Sequence, residues 1–245
     1  SKMDLVPVLR AAHRLKSDGF DLSRLRLILA GWTSADDDTP GILAALARGM
    51  GLALEVVSRP DDDTRDSLYQ AADIFLSPAD NVQETFGLTI LEAGLAGLPV
   101  IASDYDGYKD TVVHGKTGLL IPTIGPVNTE YTDILAHLWY DSQYHLRLAQ
   151  QTALSVPALA EALAGLIADP ERRRGMGAAA RRRVLAGYTW DKIISAYLSL
   201  WEDLRARPVP ADNLRAQAHP LQFSFSKLFG EYTTRALAPD LQVVW

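Results

Sequence analysis

Five short, almost unbroken apolar runs are spaced along the first half of the chain, with stretches of helical period between them. They fall at residues 25–29, 52–57, 74–77, 99–102 and 119–121. A strand that alternates apolar and polar residues can leave one face in water, whereas an unbroken apolar strand asks for cover on both. Leu5, Val8, Leu9, Ala12 and Leu15 recur at helical spacing, residues 42–50 do likewise, and residues 68–72 give a short helical turn. Strands alternating with helices build a parallel sheet flanked by helices, so the fold class is α/β. Beyond Pro122 the strand signal fades and residues 130–206 read as helices, one opening after Asp169-Pro170 and another near Trp190-Asp191. The breaker-rich stretch from Arg207 divides residues 1–206 from a tail, 207–245, that carries Phe223, Phe225, Phe229, Tyr232 and Trp245. So aromatic a tail is expected to be ordered, packed on this domain or docked on a neighbour.

Composition narrows the function. The 245 residues are 48% apolar, enough to fill a substantial core. With 24 basic against 30 acidic side chains the chain lacks the excess that neutralises a nucleic-acid backbone, so nucleic acid is not an expected partner. The absence of cysteine removes disulfides, thiolate metal sites and a cysteine nucleophile together. No apolar run approaches the roughly 20 residues that span a bilayer, and Ser1-Lys2-Met3-Asp4 lacks a signal-peptide core, so a soluble protein is expected. The acidic triplets at residues 36–38 and 61–63 lack the spacing of a calcium loop and read as solvated loops. The basic triplets at 172–174 and 181–183 read as a solvated helix face, and His114 as a turn residue.

The stretch from Glu84 to Val100, E-T-F-G-L-T-I-L-E-A-G-L-A-G-L-P-V, carries the chemistry. A helix opening close to Gly87, after a strand, has its N-terminus at the carboxyl edge of the sheet, where open α/β sheets bind ligands. Its small residues Ala93, Gly94, Ala96 and Gly97 are expected to let it lie close on the sheet. The N–H groups of Phe86, Gly87, Leu88 and Thr89 make a phosphate seat. Glu84 and Glu92, eight positions apart, would differ by about 12 Å along a helix axis and cannot share one proton-transfer site. They suit a long ligand with hydroxyls at both ends and a diphosphate between. Spacing alone fits equally an exposed Glu92 and a Glu84 near a helix cap.

This segment resembles the signature of the retaining, nucleotide-sugar-dependent glycosyltransferases of group 1, family four. The resemblance takes in Lys2 with its following helix, Ala30-Gly31, residues 72–78, the glutamate motif and residues 115–120, and it resumes over residues 158–204. It implies one half of a GT-B architecture, in which two Rossmann-like domains face a cleft. On this chain it implies Glu84 beside the transferred sugar, Glu92 on the ribose hydroxyls, the backbone of Phe86, Gly87, Leu88 and Thr89 on the diphosphate, and Lys2 as a cation for the leaving group. Ser58 and Arg59 fall where the family meets the nucleobase. No metal or other cofactor is implied, because a helix N-terminus and a cation can stabilise a departing diphosphate. The implied partners are a nucleotide-sugar donor, an N-terminal domain and a glycan, lipid or small-molecule acceptor. The implied location is cytoplasmic, with any membrane association made through the N-terminal domain.

Departures from the pattern matter as well. Asp106-Gly107-Tyr108-Lys109-Asp110 stands where the family has Gly-Gly and a Glu, and residues 123–157 are an insertion. The expected chain is therefore a donor-binding half, inactive alone, with a non-catalytic nucleotide-sugar-binding module as the alternative. A dinucleotide oxidoreductase would need a Gly-rich turn after the first strand, where Ala30-Gly31-Trp32-Thr33-Ser34 stands instead.

Overall fold

A computed structural model of the protein describes residues 3–33, 37–136, 138–139, 141–208 and 224–237. All five expected strands form, within two residues of their expected bounds: β1 Arg26–Gly31, β2 Ala53–Ser58, β3 Phe75–Ser77, β4 Val100–Ser103 and β5 Gly118–Ile121. β1 pairs parallel with β2, and β3, β4 and β5 form a parallel set with β4 in the middle. Cover on both faces holds for β4, whose four residues are all buried, but not for the first pair. Along β1 and β2 burial alternates: Leu27, Leu29 and Leu54 face the core, while Ile28 is 36% exposed. The helices explain this. α1 (Val6–Ser17), α2 (Thr39–Met50) and α8 (Val156–Ala168) gather on one core with Leu9, Leu15, Leu43, Ile101, Leu119 and Leu166 buried together. α3 (Asp62–Ala71) buries no residue and packs beside α4 (Leu88–Ala96) instead of roofing the first pair.

α4 forms as expected, but its small residues serve two contacts. Ala93 and Ile90 are buried against Val100 and Ala102 on the sheet side. Gly94 faces Val184 and Ala180 of α9 (Pro170–Gly187), and Gly177 of α9 meets the Gly97 carbonyl so closely that a Cβ there has no room. The glycines therefore serve a helix–helix contact rather than the sheet. Ala96 is exposed.

The charged runs need correction. Asp61 caps α3 by accepting from the Thr64 amide at 2.8 Å, and Asp62 and Asp63 lie in its first turn, where carboxylates meet the positive end of the helix. Asp37 accepts from the Thr39 amide and Asp38 precedes α2, while Asp36 lies outside the described residues. Arg173 is only 19% exposed: it donates to the Leu166 carbonyl at the end of α8 and pairs with Asp73 at 3.2 Å. Arg183 donates to the carbonyls of Asp110 and Thr111 at 2.6 and 3.1 Å, closing the short helix α5 (Tyr108–Thr111). Arg181 donates to Leu95 of α4. Arg173 and Arg183 share the face of α9 that buries Met176, Gly177, Ala180 and Val184, so their stems pack while their heads satisfy helix-end carbonyls. Arg172, Arg174 and Arg182 are exposed, and His114 accepts from the Leu120 amide in a turn.

Beyond Pro122 strands do occur. β6 (Thr123–Gly125) pairs antiparallel with β7 (Ala153–Leu154) and parallel with β8 (Arg235–Ala236). Strands of two or three residues carry no period to read in a sequence. Around them lie α6 (Glu130–Leu135), α7 (Asp141–Ala149) and α11 (Phe225–Phe229). Phe225 is buried with Tyr144 and Leu148, so the described part of the tail packs on this domain. Phe223 and Trp245 lie outside the described residues. α10 (Trp190–Ala206) buries nothing: Trp190, Ile194, Tyr197, Leu198, Trp201 and Leu204 form an exposed apolar stripe. Among the described residues no helix is long and apolar enough to cross a membrane.

Gly177→Ala places a Cβ against the Gly97 carbonyl and should destabilise the chain by about 1–3 kcal/mol in urea unfolding. Unchanged stability would show that α4 and α9 do not meet through their glycines.

Candidate functional site

The turn between β3 and α4 is ordered from below. Asn81 is buried; its carboxamide accepts from the Gln83 amide and its carbonyl from the Glu84 amide, both at 3.0 Å. Gly87 then takes φ +78°, a left-handed conformation open to glycine, and α4 starts with no side-chain cap. Beneath Gly87 lies Tyr108: a Cβ on Gly87 would collide with its ring. The Tyr108 hydroxyl is hydrogen-bonded to Ser77 at the end of β3 at 2.7 Å, and burial pushes its phenol up. Gly107 lies against the Thr85 carbonyl so closely that a Cβ would collide there too. Thr85, Phe86, Leu88 and Thr89 are exposed and Glu84 is half-buried. The first turn of α4 therefore presents its amides at the carboxyl edge of β3 and β4, with no side chain of its own across them.

Glu92, one and a half turns further on, is half-buried and not the fully exposed helical glutamate that spacing alone allows. Its Oε2 accepts from the Tyr69 hydroxyl at 3.0 Å. Burial and that carboxylate push the Tyr69 phenol up, which keeps it a donor. Arg65, one turn before Tyr69 on α3, feels the Glu92 charge. Ser58 and Arg59 stand at the end of β2. Ser58 shares a hydrogen bond with Thr33 at 2.9 Å, and the Arg59 guanidinium lies 5.4 Å from the centre of the Trp32 ring, its backbone held at φ +51°. Lys2 lies outside the described residues, while Met3 bridges antiparallel to Ala79 in the loop after β3.

Sequence reading passed over Tyr69, Arg65 and Trp32, and saw Tyr108 only as a departure. The signals were slight. Arg65 and Tyr69 stand four apart on one helical face, and Trp32 is a 73% exposed aromatic at a strand's carboxyl end.

The model of "Glycosyl transferases group 1" matches residues 4–131, just over half of the chain, and that of "Glycosyl transferase-like" proteins matches residues 126–199. The chain belongs to the group 1 glycosyltransferases. The second match overlaps the stretch read as an insertion. Two relatives within this breadth are a D-inositol 3-phosphate glycosyltransferase of Corynebacterium urealyticum, 28% identical over 87% of this chain, and an alpha-maltose-1-phosphate synthase of Mycolicibacterium smegmatis, 30% identical over 80%. This chain spans 42% and 43% of their lengths, less than half. The Anabaena protein HepE, solved with UDP and glucose, shares the fold at a TM-score of 0.54 and 18% identity, over 84% of this chain and 45% of its own. The fold is thus one half of a GT-B type group 1 glycosyltransferase.

Two acids near this site give a pH dependence. Burial raises the Asp80 carboxyl to about 6, against the Asp4 amide that holds its charged form, and burial likewise raises Asp106 to about 6. Between about pH 4 and 6 the folded chain holds protons that the unfolded chain has lost, so stability falls as pH rises through that window. The carboxylates lowered by their caps, Asp21, Asp37 and Asp61, act at lower pH. Urea unfolding should show the chain about 1 kcal/mol more stable at pH 5 than at pH 7, after allowance for solvent screening. The Asp80→Asn, Asp106→Asn double variant should lose most of that difference, and an undiminished slope would assign it elsewhere.

Proposed function

We propose that this chain is the donor-binding half of a glycosyltransferase that moves a sugar from a nucleoside-diphosphate sugar to an acceptor with retention of configuration. The observation that carries this reading is the uncapped first turn of α4, seated on Tyr108 between Glu84 and a Glu92 oriented by Tyr69. A helix N-terminus carries the equivalent of about half a positive charge and free amides, which suits a diphosphate whose charge grows as the glycosidic bond breaks. In this reading the amides of Phe86, Gly87, Leu88 and Thr89 hold the diphosphate, and Lys2 adds a cation, so no resident metal is called for. Glu84 reaches the hydroxyls of the transferred sugar. Glu92, acceptor-only when ionised and fixed through one oxygen, takes hydrogen bonds from the ribose. Ser58 and Arg59, with Trp32 stacked on the guanidinium, border the nucleobase. UDP bound to HepE, a protein of the same fold, supports a nucleotide-sugar donor.

The acceptor belongs with the remainder of a longer protein. The relatives have more than half their length beyond what this chain matches, and the α10 stripe is an apolar surface of the kind that a second domain covers. A non-catalytic binding module is the second reading, supported by Lys109, which is held to the chain's tail by hydrogen bonds.

Calorimetric titration of the chain with UDP, GDP and ADP should find one that binds, and Glu92→Ala should weaken it about tenfold or more, the loss of one or two hydrogen bonds to a charged group. In a longer protein that includes the N-terminal part, Glu84→Ala should abolish transfer while nucleotide binding persists. Binding indifferent to Glu92 would sink the ribose assignment. An unaffected transfer rate in Glu84→Ala would sink that of the sugar.

A further inference from the structure

The tail meets the site indirectly, and its contacts fall on one short stretch. Residues 224–237 are anchored at both ends of their described length. At one end, Asp133 of α6 accepts from the Phe225 amide and Thr129 from the Ser226 amide, at 3.1 and 3.0 Å, with Phe225 buried beside Tyr144 and Leu148. At the other, β8 pairs with β6 and the Leu237 amide donates to Gly125 at 2.8 Å. Between the anchors the segment crosses residues 104–109. The Thr234 hydroxyl donates to Asp104, the Asp106 amide donates to the Tyr232 carbonyl at 3.0 Å, and Lys109 Nζ donates to the carbonyls of Glu231 and Thr233 at 2.7 and 3.3 Å. Tyr232 also packs edge-on against buried Tyr105, with ring centres 5.7 Å apart.

The crossed stretch is the one that supports the α4 terminus. Gly107 abuts the Thr85 carbonyl and Tyr108 underlies Gly87. Asp106, just before them, sits at φ +45°, a left-handed conformation costly for a residue with a Cβ, and so one that surrounding contacts must impose. Those contacts include the tail's. α9 grips the other end of α5 through Arg183 and Tyr188.

We infer that residues 224–237 are a strap that positions the amides of the α4 terminus, acting through Asp106 and Lys109 as positioning residues. For the donor role this rests on the reading of that terminus as the diphosphate seat. The strap fixes the turn on which Thr85–Gly87 rest, so the seat is already formed when a ligand arrives and a smaller fraction of the population has to be reorganised.

The test uses the 245-residue chain with Lys109→Met, which keeps the aliphatic stem and removes both donations, with Lys109→Arg as the conservative partner. Thr234→Val is a milder cut at the same strap, and Lys227→Met on α11 controls for charge. Amide hydrogen exchange at Glu84 and Ile90, the hydrogen-bonded amides on either side of the seat, should accelerate about tenfold in Lys109→Met, and less in Thr234→Val, while amides of α1 are unchanged. Lys109→Arg should restore most of the protection. The affinity of the nucleoside diphosphate that binds, whether UDP, GDP or ADP, should fall by a similar factor. Unchanged exchange at Glu84 and Ile90, or equal acceleration in α1, overturns the strap. Accelerated exchange in a chain whose wild type binds none of the three diphosphates leaves the strap standing and overturns the donor reading.

Discussion

A helix that starts without a side-chain cap must be placed by what lies beneath it, and in this chain that support is the Tyr108 ring under Gly87. The contact admits no side chain at residue 87, and the left-handed turn of the backbone there disfavours one independently. Two unrelated constraints thus select the same glycine. Tyr108 is in turn fixed by its bond to Ser77, which ties the start of α4 to the end of β3. The uncapped first turn of α4 inherits its position from that stack, while Glu84 is held beside it through its amide, which donates to the Asn81 carbonyl.

Much of the fold could be read from the sequence because its strands are made of unbroken apolar runs. The residue choice that buries β4 on both faces also marks it in one dimension. The same signal misled at β1 and β2, where Ile28 is apolar yet exposed: composition records what a strand can bury, and only the placement of α3 decides what is buried. Strands β6 to β8, two or three residues each, are set by pairing partners far apart in the chain, Ile124 with Arg235 among them, and leave no local trace.

The site was legible in its backbone and poorly so in its side-chain partners. Spacing located Glu84, Glu92 and the amide seat. It could not show that Glu92 is held by a tyrosine 23 residues earlier, nor that Tyr108 underlies Gly87. The basic runs were the clearest misreading. Arg173 and Arg183 carry charge in a stretch that otherwise reads as solvated, yet they lie on the packed face of α9. There guanidinium groups replace the water that carbonyls at the ends of α8 and α5 would otherwise bind. Charge counting cannot tell a solvated arginine from one that closes another helix.

The contact between Gly97 and Gly177 has a mechanical consequence. Side chains between two helices can change rotamer and absorb a small displacement, whereas backbone resting on backbone cannot. α4 and α9 therefore move as one stiff piece, and α10 leaves the end of that piece after only two residues. A force applied along the apolar stripe of α10 would travel down α9 and reach α4 at Gly97, its C-terminal end, where the two backbones touch.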